Sequence, residues 1–134
     1  MLASMTYAGE VRGQGRPRFA RSGHAYKDAA SRAYEERLAQ CWVEQSGACF
    51  DGPVRVSVSV WRHLPRSKPK GVTEEPDTLK PDADNIAKAV LDALNGVAWR
   101  DDSQVVALSV RKFPRRRVPT DTDILYVVVE SEEL

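Results

Sequence analysis

Residues Pro53-Val54-Arg55-Val56-Ser57-Val58-Ser59-Val60 put an apolar side chain at every second position. Alternation of this kind is the mark of a β-strand with one buried and one wetter face, because successive side chains of an extended chain point to opposite sides. The rest of the chain must then supply neighbouring strands and a covering layer. Thr6–Val11 is expected to form a short first strand, and the basic stretch GQGRPRFARSG after it is too rich in Gly, Pro and Arg to continue it. A helix is expected from about Tyr26 to Gln45, with Ala30, Ala33, Tyr34, Leu38, Cys41 and Trp42 at three-to-four-residue spacing and Gly47 as its stop. A second helix, capped by Asp84 or a near neighbour, runs to Leu94 on a stripe of Ile86, Val90, Ala93 and Leu94, and Asn95-Gly96 ends it. Gln104–Arg111 and Asp123–Val129 read as two more strands, antiparallel neighbours across the basic connection Lys112–Pro119. The order is β-α-β-α-β-β, an α/β or α+β fold in which helices cover a mixed β-sheet. Pro65, Pro69, Gly71, Pro76 and Pro81 make residues 63–81 a long proline-rich connection that cannot be regular throughout.

The 134 residues suit a single domain spanning 1–134 with one core. No stretch approaches the roughly 18 consecutive apolar residues of a membrane span. MLASMTYAGEVRG lacks the basic start and long apolar run of a signal peptide, and Cys41 and Cys49 form neither a disulfide framework nor a four-ligand zinc site, so a cytoplasmic location is expected.

Twenty Lys+Arg against 19 Asp+Glu sum to a formal charge of +1. The distribution is more informative than the sum. Five basic residues fall between Arg12 and Lys27, four between Arg62 and Lys70, and five between Arg111 and Arg117, which is 14 of the 20 positive charges. Asp82, Asp84, Asp92, Asp101 and Asp102 form an all-aspartate group with no glutamate inside its window. Near neutrality is therefore a sum of opposites.

Aspartates are ionised at neutral pH, and several together repel unless a cation or positive side chains compensate. Asp82 and Asp84 stand at the start of the second helix, where free backbone N–H groups and the positive helix end favour negative charge. Spacing alone does not choose between capping and metal binding. A strand running back beside the first helical turn would let Asp101 or Asp102 meet the pair, and carboxylates without nearby His or Cys favour Mg²⁺ or Mn²⁺ over structural zinc. Lys88, four residues after Asp84, shares its helix face and could organise the carboxylates or neutralise charge on a scissile phosphate. The alternative is a pair of N-caps and an ordinary i,i+4 ion pair. Carboxylates that hold a metal, set among basic stretches that hold a polyanionic backbone, describe a nuclease.

Lys80-Pro81-Asp82-Ala83-Asp84-Asn85-Ile86-Ala87-Lys88 through Asn95-Gly96, followed by Trp99-Arg100-Asp101-Asp102-Ser103-Gln104-Val105, closely resembles the RusA family of Holliday junction resolvases. Gly15-Arg16-Pro17-Arg18-Phe19 with His24-Ala25-Tyr26 is similar to that family's basic N-terminal region, and Val110-Arg111-Lys112-Phe113 to its strand after the acidic motif. Val11-Arg12-Gly13-Gln14-Gly15 departs from the family's glycine-proline entry into the basic loop. The resemblance covers roughly residues 6 to 129. It implies a homodimeric, Mg²⁺-dependent endodeoxyribonuclease, with Mn²⁺ as a substitute ion, that nicks opposing strands of four-way junction DNA in recombination and repair. It assigns metal binding and catalysis to Asp82, Asp84 and Asp102, a functional lysine to Lys88, and supporting roles to Asp92 and Asp101. A nuclease for other branched DNA and a noncatalytic junction-binding dimer are the competing readings.

Arg16, Arg18, Lys68, Lys70, Lys112, Arg115, Arg116 and Arg117 are the candidate DNA contacts, through phosphate rather than base edges since no recognition helix accompanies them. His24 and His63 read as exposed or hydrogen-bonding residues rather than bases. Cys41, Cys49, Trp42, Trp61 and Trp99 read as structural, with Trp99 also able to support the acidic loop or contact DNA, and Leu91 as a possible subunit contact.

Overall fold

A computed structural model describes residues 1–15 and 18–133. Arg16, one of the expected DNA contacts, lies outside the described residues. In chain order the elements are β1 (Leu2–Ala8), β2 (Arg18–Phe19), β3 (Ala25–Tyr26), α1 (Ala29–Gln45), β4 (Val54–Trp61), β5 (Glu74–Glu75), α2 (Ala83–Leu94), a 3-10 turn (Asp102–Gln104), β6 (Val105–Lys112), β7 (Arg115–Arg116) and β8 (Ile124–Ser131). The long strands form one mixed sheet in the order β1-β8-β4-β6. Only β4 and β6 are parallel; β8 is antiparallel to both β1 and β4.

The expected pairing of the last two strands does not occur, because β4 lies between β6 and β8. The side-chain rows explain the order. Val54, Val56, Val58 and Val60 are all almost completely buried, so β4 takes a central place where both its edges are paired and its apolar row is covered. A parallel neighbour then needs a crossover, which the segment from β4 through α2 to β6 supplies.

Both helices lie on one side of the sheet, α1 against β1 and α2 against β6, and they touch each other. Tyr34, Leu38 and Trp42 of α1 and Ile86, Val90 and Leu94 of α2 meet Met5, Leu125, Val127, Val129 and the β4 valines in a single core. Each fully buried aliphatic side chain of this set contributes about 1.5–3 kcal/mol. The buried indoles are satisfied: Trp42 Nε1 donates to the Ala48 carbonyl and Trp99 Nε1 to Asp102 Oδ1, each at 2.8 Å. The other face of the sheet is open and mixed: Ser57 Oγ and Ser109 Oγ lie 3.2 Å apart on it, and Leu2, Trp61 and Tyr126 are exposed there.

Local chemistry moves several element ends. Asp28 caps α1 by accepting the Ser31 N–H at 2.7 Å, so the helix starts at Ala29, and Tyr26 pairs with Arg18 in β3 instead. Ala30 is consequently exposed and Ser31 joins Tyr34, Leu38 and Trp42 on the buried face. The first strand precedes its expected place because Ala3, Met5 and Tyr7 supply the inward row, whereas Val11 is a separate buried anchor whose N–H is held by Asp123 Oδ2 at 3.1 Å. Cys41 is half-buried, which pushes its thiol pKa up, and Cys49 is exposed. The proline-rich connection is tied to the body: β5 pairs with β7, and Arg117 donates to the carbonyls of Lys68, Pro69 and Val72.

Candidate active site: an acidic helix start beside a basic cleft

Asp82, not Asp84, is the N-cap of α2. Its backbone is extended and its carbonyl accepts the Ile86 N–H at 3.0 Å, but its carboxylate makes no capping bond. Asp84 sits in the first turn, and both side chains are exposed. An acidic group not used as a cap, held beside the positive end of a helix, is available to an outside partner. Lys88 follows one turn later, exposed and without an ion pair among the described residues. It borders a cavity of about 210 Å³ together with Lys27 and Asp92. Asp92 itself is taken up by Lys27, whose Nζ lies 3.1 Å from it and 2.6 Å from Glu35. Burial works to lower the Lys27 pKa, but these two carboxylates outweigh it and raise it.

An open cleft of about 480 Å³ adjoins Asp82, with Arg12, Arg62, Lys80 and Asn85 among its walls. Its sides are fixed by backbone. The Gln14 N–H donates to the Asn85 carbonyl at 2.9 Å, and a Cβ on Gly13 would stand 2.7 Å from Pro81 Cβ and 3.0 Å from Asn85 Cβ, so only glycine lets the loop approach α2 this closely. Arg62 is aimed by the Lys80 carbonyl at 2.9 Å and by buried Asp77 at 3.3 Å. Lys112 Nζ donates to the carbonyls of Leu79 and Pro81 at 2.6 and 2.9 Å, clamping the segment that delivers Asp82. Below them, Asp123 is a buried hub for the His63 ring at 2.6 Å and the N–H groups of His63 and Val11. His63 is thus a hydrogen-bonding residue, as expected.

Asp101 and Asp102 lie elsewhere. Asp101 caps the 3-10 turn by accepting the Ser103 N–H at 3.0 Å, which lowers its pKa, while Asp102 accepts the Trp99 indole. They precede β6, whose first residue pairs with the start of β4, whereas Lys112 at its far end pairs with Val60 and reaches Pro81. The 12 residues of α2 put about 18 Å between these levels. The expected meeting of Asp102 with Asp82 and Asp84 does not take place within one chain. Among the described residues no group of three or more His, Cys, Asp or Glu side chains gathers closely enough to hold a metal.

The basic residues divide by what already occupies them. Lys112 and Arg115 are turned inward, the latter donating to the His63 carbonyl, and Arg117 holds the proline-rich connection. Arg116 pairs with Glu74 at 2.9 Å and Lys68 with Glu75 at 3.1 Å. Arg18 is exposed with only a 3.9 Å approach to Asp28, and Lys70 is exposed. Arg12, Arg62 and Lys80 are the basic residues that stand beside Asp82, and sequence reasoning gave them no individual role. They lie at the margins of the charged stretches or inside the acidic motif, and only the folding of the 9–15 loop onto α2 brings them together.

The fold and site define a class: a two-layer α/β protein with an acidic helix start in a basic cleft. The chain belongs to the endodeoxyribonuclease RusA family, whose model matches residues 8–124. It is also 39% identical to the uncharacterized protein YqaN of Bacillus subtilis (strain 168), over 81% of this chain and 84% of that protein. Family membership supports a nuclease-type function and the divalent-metal dependence typical of such nucleases. No helix among the described residues is long and apolar enough to cross a membrane.

Proposed function

We propose that this protein is a Mg²⁺-dependent endodeoxyribonuclease that resolves four-way DNA junctions by paired, symmetric nicks, acting as a homodimer. The observation that carries this reading is the carboxylate of Asp82, which makes no capping bond and borders a cleft walled by Arg12, Arg62 and Lys80, with Asp84 two residues on in the first turn of α2. The pair offers only hard oxygen donors, which suit Mg²⁺ or Mn²⁺ and not zinc, and one or two carboxylates suffice for Mg²⁺ when water and substrate phosphate complete its shell. A bound divalent ion would lower the pKa of water and polarise the phosphodiester. Arg12, Arg62 and Lys80 hold the backbone phosphates, Asp82 and Asp84 set the position of the cut, and Lys88 offsets charge that develops on the phosphate. Arg18 and Lys70, both exposed, extend the phosphate contacts along a junction arm.

Cleavage of labelled four-way junctions beside linear duplex, with Mg²⁺ and with chelator, tests the reading. Symmetric nicks confined to the junction and lost with chelator are expected. Equal cutting of linear duplex, or preference for flapped DNA, would overturn junction resolution, and tight junction binding without nicks would make the protein a noncatalytic binder.

A further inference from the structure

The end of the sheet nearest Asp82 carries a second cavity, on the open face away from the helices. Its floor is a row of three directly opposed residues, Ala8 at the end of β1, Ile124 at the start of β8 and Trp61 at the end of β4. The chain between β7 and β8 walls it with Val118, and Arg116 and Arg117 stand at its margin. The enclosed space is about 490 Å³, within the roughly 300–1,000 Å³ common to ligand sites. None of its lining residues is acidic.

Trp61 stacks on Phe113 with ring centroids 4.6 Å apart and planes 10° from parallel, and the Arg111 guanidinium lies over the Phe113 ring at 4.3 Å. Phe113 covers one face of the indole, yet Trp61 remains 37% exposed and borders the cavity. Arg117 spends Nε and Nη2 on the carbonyls of Val72, Lys68 and Pro69, while its Nη1 makes no hydrogen bond among the described residues. Carbonyls orient this guanidinium without cancelling its charge. An apolar floor with an open aromatic ring, rimmed by cations and free of carboxylates, fits a ligand that is flat and apolar on its faces and anionic at its edge. A nucleotide has that chemistry. Arg62 lines both this cavity and the cleft beside Asp82, so the two are contiguous.

Taking DNA as the ligand from the function proposed above, we infer that this cavity is a second nucleic-acid site, which holds an unpaired nucleotide of single-stranded DNA with its base stacked on Trp61 and its phosphate beside Arg117. Paired bases in a duplex are stacked on one another and offer no free face. Tyr126, opposite Ser59 and therefore on the same face of the sheet as Trp61, is 37% exposed and gives the next base a ring. Branched DNA presents unpaired bases where its strands part, and this site takes one without entering the cutting centre.

Intrinsic fluorescence tests the inference, because Trp42 and Trp99 are fully buried and Trp61 alone of the three tryptophans is open to a ligand. An oligothymidylate of about eight nucleotides, added without Mg²⁺, should quench Trp61, and an abasic strand of the same length should not. In anisotropy titrations with a labelled strand, Trp61→Ala should bind about 10-fold more weakly and Trp61→Phe nearly as well as the wild type, each variant first checked by thermal melting. The wild-type quench requires neither variant to fold. No quench, or equal quenching by the abasic strand, would overturn the inference. Quenching by an acidic peptide ending in phenylalanine, where the oligonucleotide gives none, would overturn it in favour of a protein-docking pocket. A wild-type protein that nicks junctions without the quench removes this site and leaves the function standing. One that shows the quench without nicking junctions defeats the function and retains the site.

Discussion

Lys112 Nζ lies 2.9 Å from the carbonyl oxygen of Pro81, joining the end of β6 to the residue that precedes Asp82. A sheet edge and an acidic helix start are thereby held as one unit, with Leu79 and buried Asp77 as further partners of the same ammonium. Lys112→Met keeps the aliphatic stem and removes the charge. It should destabilise the protein by about 2–3 kcal/mol, the worth of hydrogen bonds to a charged group left without their partner. Urea denaturation with an unchanged m-value checks this.

Asp84→Asn should lower Mg²⁺-dependent nicking by about 10²–10³-fold, the scale on which one group stabilising a transition state acts. Junction binding should remain near the wild-type level, because the basic walls of the cleft are untouched. Single-turnover cleavage and a gel-shift titration separate the two effects, and retained cleavage would remove Asp84 from the site.

Arg12→Ala should weaken DNA binding to a similar degree on all sequences and lower the slope of log K against log salt by about 1, as expected for loss of one phosphate contact. Arg117→Ala should act differently, since that side chain holds the carbonyls of Lys68, Pro69 and Val72. Its loss should appear as greater proteolysis of residues 63–81.

Gly13→Ala introduces a methyl group 2.7 Å from Pro81 Cβ. The loop must move away from α2, at a cost of about 1–3 kcal/mol for overpacking. Thermal melting reads the loss of stability, and a raised KM for junction DNA reads the displaced cleft wall.

Asp28 and Asp101 have lowered pKa values, chiefly through hydrogen bonds from Ser31 and Ser103 respectively. Their stabilising contribution is therefore present above the ordinary carboxylate pKa and is lost as pH falls through the depressed values. Acid titration followed by circular dichroism should show this loss, and Asp28→Asn, which can still accept the capping bond, should flatten its share of the profile.

Much of the architecture is legible in short-range patterns. The Val54–Val60 alternation becomes β4, and the Ile86, Val90, Ala93 and Leu94 stripe becomes the buried face of α2. The placement of Asp82 and Asp84 at a helix start follows from the same stripe. Less legible are the element ends, where single hydrogen bonds decide: the Asp28 carboxylate moves the start of α1 three residues past the expected position, and an unused Asp82 side chain distinguishes a cap in position from a cap in function.

By itself the sequence determined β4, α2, most of α1 and the last two long strands, and that three basic stretches accompany an all-aspartate group, since periodicity and capping depend on neighbours within a few residues. Only the tertiary structure decided that β4 separates β6 from β8, that Arg12, Arg62 and Lys80 converge on Asp82, that Lys112 and Arg115 turn inward while Arg117 is tied to the proline-rich connection, and that Asp102 lies at the opposite end of α2. These outcomes depend on which apolar rows cover one another across the whole chain, and that choice of long-range partners is not written in any local spacing.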